Sequence, residues 1–183
     1  YTPLFKESTY YKVFNSLIND PRLIEAAKNY GYRIKYVLHP IVSAQVDDFD
    51  KNDYVDVIPA VGDMSYETMF RESSLMVTDF SGIQFDFAYM RKPLVYLHHK
   101  DIPQHYEEGT FFYDTMAFGE IAHDNDELID LLCEYMASGC KMKEEYVRRA
   151  DDFFYYSDHN NCKRIYDIMT EYQEKKILPY RQK

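Results

Sequence analysis

Ser74–Lys92 reads SLMVTDFSGIQFDFAYMRK, and Pro93 closes it. Leu75, Met76 and Val77 form an apolar run of the length a buried parallel strand needs. Thr78-Asp79-Phe80 predicts a turn, after which Ser81 opens a helix and Gln84 completes the S-x-x-Q pattern of a capping box. A strand feeding a tight turn and a helix start gathers free backbone N–H groups at one point, which suits a phosphate. Gly82 leaves the backbone there open to close approach by an anion. The helix is apolar nearly all round except for Asp86. That carboxylate stands four residues after Gly82, on the same face, within reach of a ribose diol if a diphosphate occupies the turn. The plainer reading is that Ser81 only caps the helix and Asp86 serves a structural partner. Local pattern leaves both open.

Working outward, Tyr32–Leu38, Tyr54–Ile58 and Pro93–Leu97 predict further strands, and Glu120–Ala122 a short edge strand. Helices are expected over Ser8–Asn19, from Pro21 to Tyr30 with Gly31 as stop, over 41–49, and over Ser65–Glu72. Three more are expected near 125–138, 141–154 and 158–174, the last capped by Asp158. Tyr1-Thr2-Pro3 reads as the end of a strand or linker, His98–Gly119 as a long ordered loop, and Gln173–Lys183 as a polar tail. Strands alternating with helices imply an α/β fold: a Rossmann-like parallel sheet with helices on both faces. Residues 1–175 are expected to form one domain and 176–183 the tail. Ligands of such sheets sit beyond the carboxyl ends of the strands. That rim collects His39, the Pro59–Asp63 loop, Thr78–Gly82 and the segment after Leu97.

Composition excludes several classes. A formal charge of −10 argues against a nucleic-acid partner. No apolar run approaches the roughly 20 residues of a membrane-spanning helix. Cys133, Cys140 and Cys162 lack ligand spacing and read as free thiols in a reducing, cytoplasmic setting. Hydrophobic content of 46% and charged content of 28% are those of a globular chain.

With VTDFSGIQFDFAYMRKP at its centre and His39-Pro40 ending an earlier strand, the chain resembles the CDP-glycerol glycerophosphotransferases, the teichoic-acid primases and polymerases. Asp158-His159-Asn160-Asn161 after Phe153-Phe154, and the segment EEGTFFYDTMAFGE, extend the resemblance over Tyr1–Met169. It implies the C-terminal, donor-binding half of a two-domain enzyme with a fold like that of GT-B glycosyltransferases. The implied reaction moves glycerol phosphate from CDP-glycerol to a hydroxyl acceptor and releases CMP, mainly by positioning and electrostatic stabilisation, with no cofactor. By the same resemblance, His39 is the catalytic residue facing the donor phosphates. Thr78, Asp79, Ser81 and Gly82 would hold the diphosphate and Asp86 the ribose, while Pro59–Gly62 would read the cytosine edge. The polymer or lipid-linked acceptor and the general base would belong to an N-terminal half. The parent enzyme would be peripheral on the inner face of the cell membrane, and this chain alone would bind nucleotide weakly, without turnover. A dimer of the fragment is a further expectation.

Two departures from the family pattern admit a related CDP-alcohol as donor: Ser81-Gly82 replaces the usual two serines, and Glu108 stands where a basic residue commonly precedes the glycine. A GT-B half using a nucleotide sugar and a non-catalytic assembly module are the rival readings.

The remaining residues read as structural. Of His98 and His99, one is expected to point inward and one outward, too few ligands for a metal. His105, His123 and His159 read as surface or capping residues. Arg148-Arg149 and Lys163-Arg164 read as solvated, and Tyr10, Tyr11, Tyr146 and Tyr166 as packing residues.

Overall fold

The computed structural model describes residues 2–60, 65–103, 109 and 111–175. The chain divides into two compact units, residues 1–150 and 151–183.

In the first unit the chain opens on α1 (Thr2–Glu7), where a linker or strand end was expected. Proline at the second helical position is compatible with a first turn, because its missing N–H would have no partner there anyway. Then follow α2 (Thr9–Ile18) and α3 (Pro21–Tyr30), capped at their starts by Ser8 and Asp20. Gly31 ends α3 in the left-handed conformation, φ 75°. β1 (Ile34–Leu38) leads through a 3-10 segment, Pro40–Asp48, to β2 (Val55–Pro59). α4 (Tyr66–Glu72), β3 (Met76–Thr78), α5 (Ile83–Tyr89) and β4 (Leu94–Leu97) continue the alternation. The predicted long loop holds a short helix, α6 (Tyr113–Met116), before β5 (Gly119–Ala122), α7 (Asn125–Ala137) and α8 (Glu144–Phe153).

Every strand pairing is parallel, but the strands form two sheets, β1–β2 and β3–β4–β5. Lys35 near the start of β1 forms an ion pair with Glu72 ahead of β3, and Ile34 and Leu75 pack against one shared core. Tyr10, whose hydroxyl meets that of Tyr36 in β1 at 3.1 Å, is close enough to Asp79 beyond β3 to sense its charge. These contacts bring the start of β1 and the approach to β3 to one core.

β4 is the buried centre. Val95 and Leu97 face the cluster built from α3, β5 and α7, while the Tyr96 side chain reaches Gln84 of α5. Both faces being covered explains why PLVYL reads as unbroken apolar sequence. Gly119 in β5 sits where a Cβ would lie 1.8 Å from the Leu94 carbonyl oxygen, so only glycine permits this approach of β4 and β5. A second, aromatic cluster, including Phe5, Phe49 and Tyr36, backs β1 and β2.

In the second unit, α9 (Asn161–Glu174) follows Asn160, which caps without a side-chain bond. The expected cap, Asp158, instead accepts two hydrogen bonds from Arg164, whose guanidinium lies 3.6 Å from the Tyr156 ring centre. Arg164 is thus tied down and not merely solvated. Tyr166 is exposed, contrary to the packing role expected of it. The tail 176–183 lies outside the described residues.

Candidate functional site

The site is best built from the rim. His39 follows β1, Ala60 follows β2, and Asp79–Ser81 follow β3. His98-His99 and His123 follow β4 and β5. Within each sheet the strands run parallel, so His39 and Ala60 lie at the carboxyl edge of one and Asp79–Ser81, His98-His99 and His123 at that of the other, the positions the sequence singled out as a rim.

At the β1–β2 end, His39 is exposed and caps the 3-10 segment, its Nδ1 accepting a hydrogen bond from the Ile41 amide at 3.2 Å. An accepting Nδ1 leaves the ring proton on Nε2, where it can be donated. Ser43 clamps this end: its hydroxyl donates to the His39 carbonyl at 3.2 Å and accepts from the Ala60 amide at 3.0 Å. The sequence reading missed Ser43, which carries no motif. In the predicted cytosine-reading loop, Gly62 lies outside the described residues, as does Glu108 in the aromatic segment.

At the β3 end, Thr78 is buried, Asp79 exposed and Ser81 half-buried. The helix begins at Ile83, two residues later than expected, and its cap residue Gly82 is already helical at φ −63°, ψ −17°, with no side-chain cap. Gly82 thus needs no special backbone freedom; a Cβ there would meet nothing within 4 Å, so the surface beside it is open. The capping box is not formed. Gln84 turns inward, where its carbonyl accepts from the Tyr96 hydroxyl at 2.8 Å and its amide donates to Tyr113 at 3.2 Å. The Tyr96 oxygen in turn accepts from the Phe118 amide at 3.3 Å. A buried amide side chain is better satisfied by this network than by a cap on the surface. The Gln84 and Phe85 amides bond to the Ser81 and Gly82 carbonyls, while those of Ser81, Gly82 and Ile83 have no partner among the described residues.

Asp86, one turn into α5, is exposed, and its carboxylate has no partner among the described residues. The structural-partner reading of Asp86 therefore finds nothing to pair it with there. Asp79 looks toward Tyr10, whose hydroxyl is pushed up by burial, with the Asp79 charge adding to the effect.

Phe80, between Asp79 and Ser81, inserts its ring into the aromatic wall beyond β4. It stacks on His98 at 4.1 Å and meets Tyr113 edge-on at 5.5 Å. His98 and His99 are both buried, so the expected alternation fails. The strand has ended at Leu97, and the next turn folds His99 Nδ1 under the Asp101 amide at 3.1 Å. Arg149 is likewise structural: it donates to the Ala117 carbonyl at 3.0 Å. Lys92 of the RKP run reaches three carbonyls, of Phe70, Arg71 and Ser73, at 2.7–2.8 Å, closing the end of α4. No helix among the described residues is long and apolar enough to cross a membrane.

Against known proteins, residues 1–171 match the family described as CDP-glycerol:poly(glycerophosphate) glycerophosphotransferase. The chain is 40% identical over 177 residues to the minor teichoic acid biosynthesis protein GgaB of Bacillus subtilis (strain 168), covering 97% of this chain and 19% of that protein. The chain thus spans about a fifth of the length of this curated relative. No solved structure matches.

Proposed function

Since the chain belongs to the CDP-glycerol:poly(glycerophosphate) glycerophosphotransferase family, we propose that residues 1–175 are the donor-binding domain of an enzyme that transfers glycerol phosphate from CDP-glycerol, or a related CDP-alcohol, to an acceptor hydroxyl in teichoic-acid synthesis. The observation that carries this reading is the open surface beside Gly82, just beyond the carboxyl end of β3. There the amides of Ser81–Ile83, without a partner among the described residues, lie in one run with exposed Asp79 and Asp86, while exposed His39 ends β1. α5 has only seven residues, so the amides left without a partner among the described residues, and not a long helix dipole, supply the attraction for an anion.

In this reading the diphosphate meets the Ser81–Ile83 amides, with the Thr78 and Ser81 hydroxyls beside them. Asp79 shapes the turn, and Asp86 accepts from the ribose hydroxyls. His39 donates from Nε2 to the phosphate oxygens. As the acceptor oxygen attacks the phosphorus bearing glycerol, the bond to CMP breaks and charge grows on the departing phosphate, where a donated proton or hydrogen bond lowers the barrier. The acceptor site and general base belong to the remainder of a longer, GT-B-like protein held at the cytoplasmic membrane face. GgaB, of which this chain matches 19%, supports that division.

Calorimetric titration of the chain with CDP-glycerol, CMP, UDP and UDP-sugars tests the assignment. Binding of the cytidine nucleotides, lost in His39→Ala and Asp86→Ala, is expected; preference for UDP or UDP-sugars overturns it.

A further inference from the structure

At the buried half of the rim stands a histidine whose ring feels the Asp79 backbone but whose Nε2 makes no well-formed hydrogen bond among the described residues. His98 is 9% exposed, and its Nε2 has no hydrogen-bond partner among the described residues. Its ring fills a slot between Phe80, stacked at 4.1 Å and 13° between planes, and Tyr113, edge-on at 4.7 Å. A phenylalanine would occupy this slot without stranding a polar atom, and a stranded atom destabilises by about 1–3 kcal/mol. Packing alone therefore does not account for a histidine here. What distinguishes this position is its neighbour: Phe80 belongs to the turn that carries Asp79 and Ser81, so the imidazole grips the middle of the proposed donor-binding segment.

We propose that His98 is a positioning residue of the donor site, which in its neutral form holds Phe80 and so sets the Asp79–Ser81 turn for a nucleoside diphosphate, and which on protonation draws Asp79 inward and spoils that turn. The proposal rests on the donor reading above. The titratable groups facing the ring are Asp79 after β3, Tyr96 of β4, Tyr113 of α6 and His123 after β5. Burial holds the imidazole below its ordinary value and the His123 charge pushes the same way, while the Asp79 carboxylate and backbone oppose them. Near neutral pH the ring is uncharged and Asp79 remains at the surface. Once a proton enters, the nearest countercharge is Asp79.

Binding of CDP-glycerol to the 183-residue chain is measured from pH 5 to 8 for the unaltered protein, His98→Phe and His98→Leu. The donor's diphosphate does not titrate in this range, so a fall in affinity reports the protein. The unaltered chain is expected to bind evenly above about pH 6.5 and to weaken as pH falls, by at most about tenfold per unit. His98→Phe keeps the stack, and is expected to match it at pH 7.5 and lose that acid fall. His98→Leu, with no stack, is expected to bind several-fold more weakly at every pH. An acid fall that persists unchanged in His98→Phe overturns the proposal, as does unaltered affinity in His98→Leu. NMR keeps the inference separate from the donor assignment. The amide resonances of Asp79–Gly82 are expected to titrate with the His98 ring in the unaltered chain and not in His98→Phe. If these resonances do titrate but CDP-glycerol does not bind, the donor reading falls and the grip of His98 on the turn stands. Resonances that ignore the ring overturn the inference itself.

Discussion

The two sheets reach the rim with different backing. In β4 no residue exceeds 6% exposure, and the hydroxyl–amide network of Tyr96, Gln84, Tyr113 and Phe118 braces the segment around the Asp79–Ser81 turn. β1 and β2 are mostly half-buried, and the rim there is held by His39 and Ser43 themselves. One sheet's end of the proposed site is therefore fixed from behind and the other's from its own loop. A diphosphate site gains from this division, since one side supplies a preorganised set of amides and the other an accessible proton donor.

The largest expected effect attacks the braced sheet. Gly119→Val pushes a side chain into the Leu94 backbone, and a loss on the order of 3 kcal/mol or more is expected in denaturant unfolding. A fall of less than 1 kcal/mol would mean that β4 and β5 separate easily and the contrast is overstated. Tyr96→Phe removes one hydroxyl but strands the Gln84 carbonyl and the Phe118 amide, so a loss of about 1–3 kcal/mol is expected. The matching change in the looser sheet, Tyr36→Phe, leaves one Tyr10 hydroxyl without its partner where Tyr96→Phe strands two groups, so a smaller loss of about 1 kcal/mol is expected. Equal losses for the two tyrosines would erase the comparison.

Alkali sharpens it further. Burial raises Tyr96 and Tyr36 above ordinary phenols, and it pushes Tyr146 up to about 12. A hydroxyl harder to ionise when folded favours the native state below pH 10, where both forms are protonated. That advantage is lost as pH rises from about 10, the ordinary tyrosine value, toward the native-state values. Stability followed from pH 9 to 12 is expected to decline, with absorbance at the phenolate band lagging behind that of the unfolded chain. The smallest change in stability is expected for His39→Ala, about 1 kcal/mol or less for a lost cap, alongside the loss of nucleotide affinity. A His39→Ala protein that melts as the unaltered one and still binds CDP-glycerol removes His39 from the site.

Much of this organisation was legible before any coordinates. Strand positions followed from short apolar runs punctuated by Gly and Pro, and the Ser8 and Asp20 caps from their place ahead of helical periodicity. The rim itself followed from the alternation of strands and helices. The failures share a cause. Gln84 was assigned to a surface cap because S-x-x-Q is a local pattern, yet its partners Tyr96 and Tyr113 are 12 and 29 residues away. Asp158 was assigned to a cap and is held by Arg164 instead.

By itself the sequence determined the α/β class, most of the order of its elements and the family, because hydrophobic period, caps and motif spacing are properties of neighbours along the chain. Only the tertiary structure decided that the strands divide into two parallel sheets, that Gln84 is a core residue, and that both His98 and His99 are buried. Those outcomes depend on which distant side chains meet, and a buried polar atom takes whichever partner the fold brings within about 3 Å.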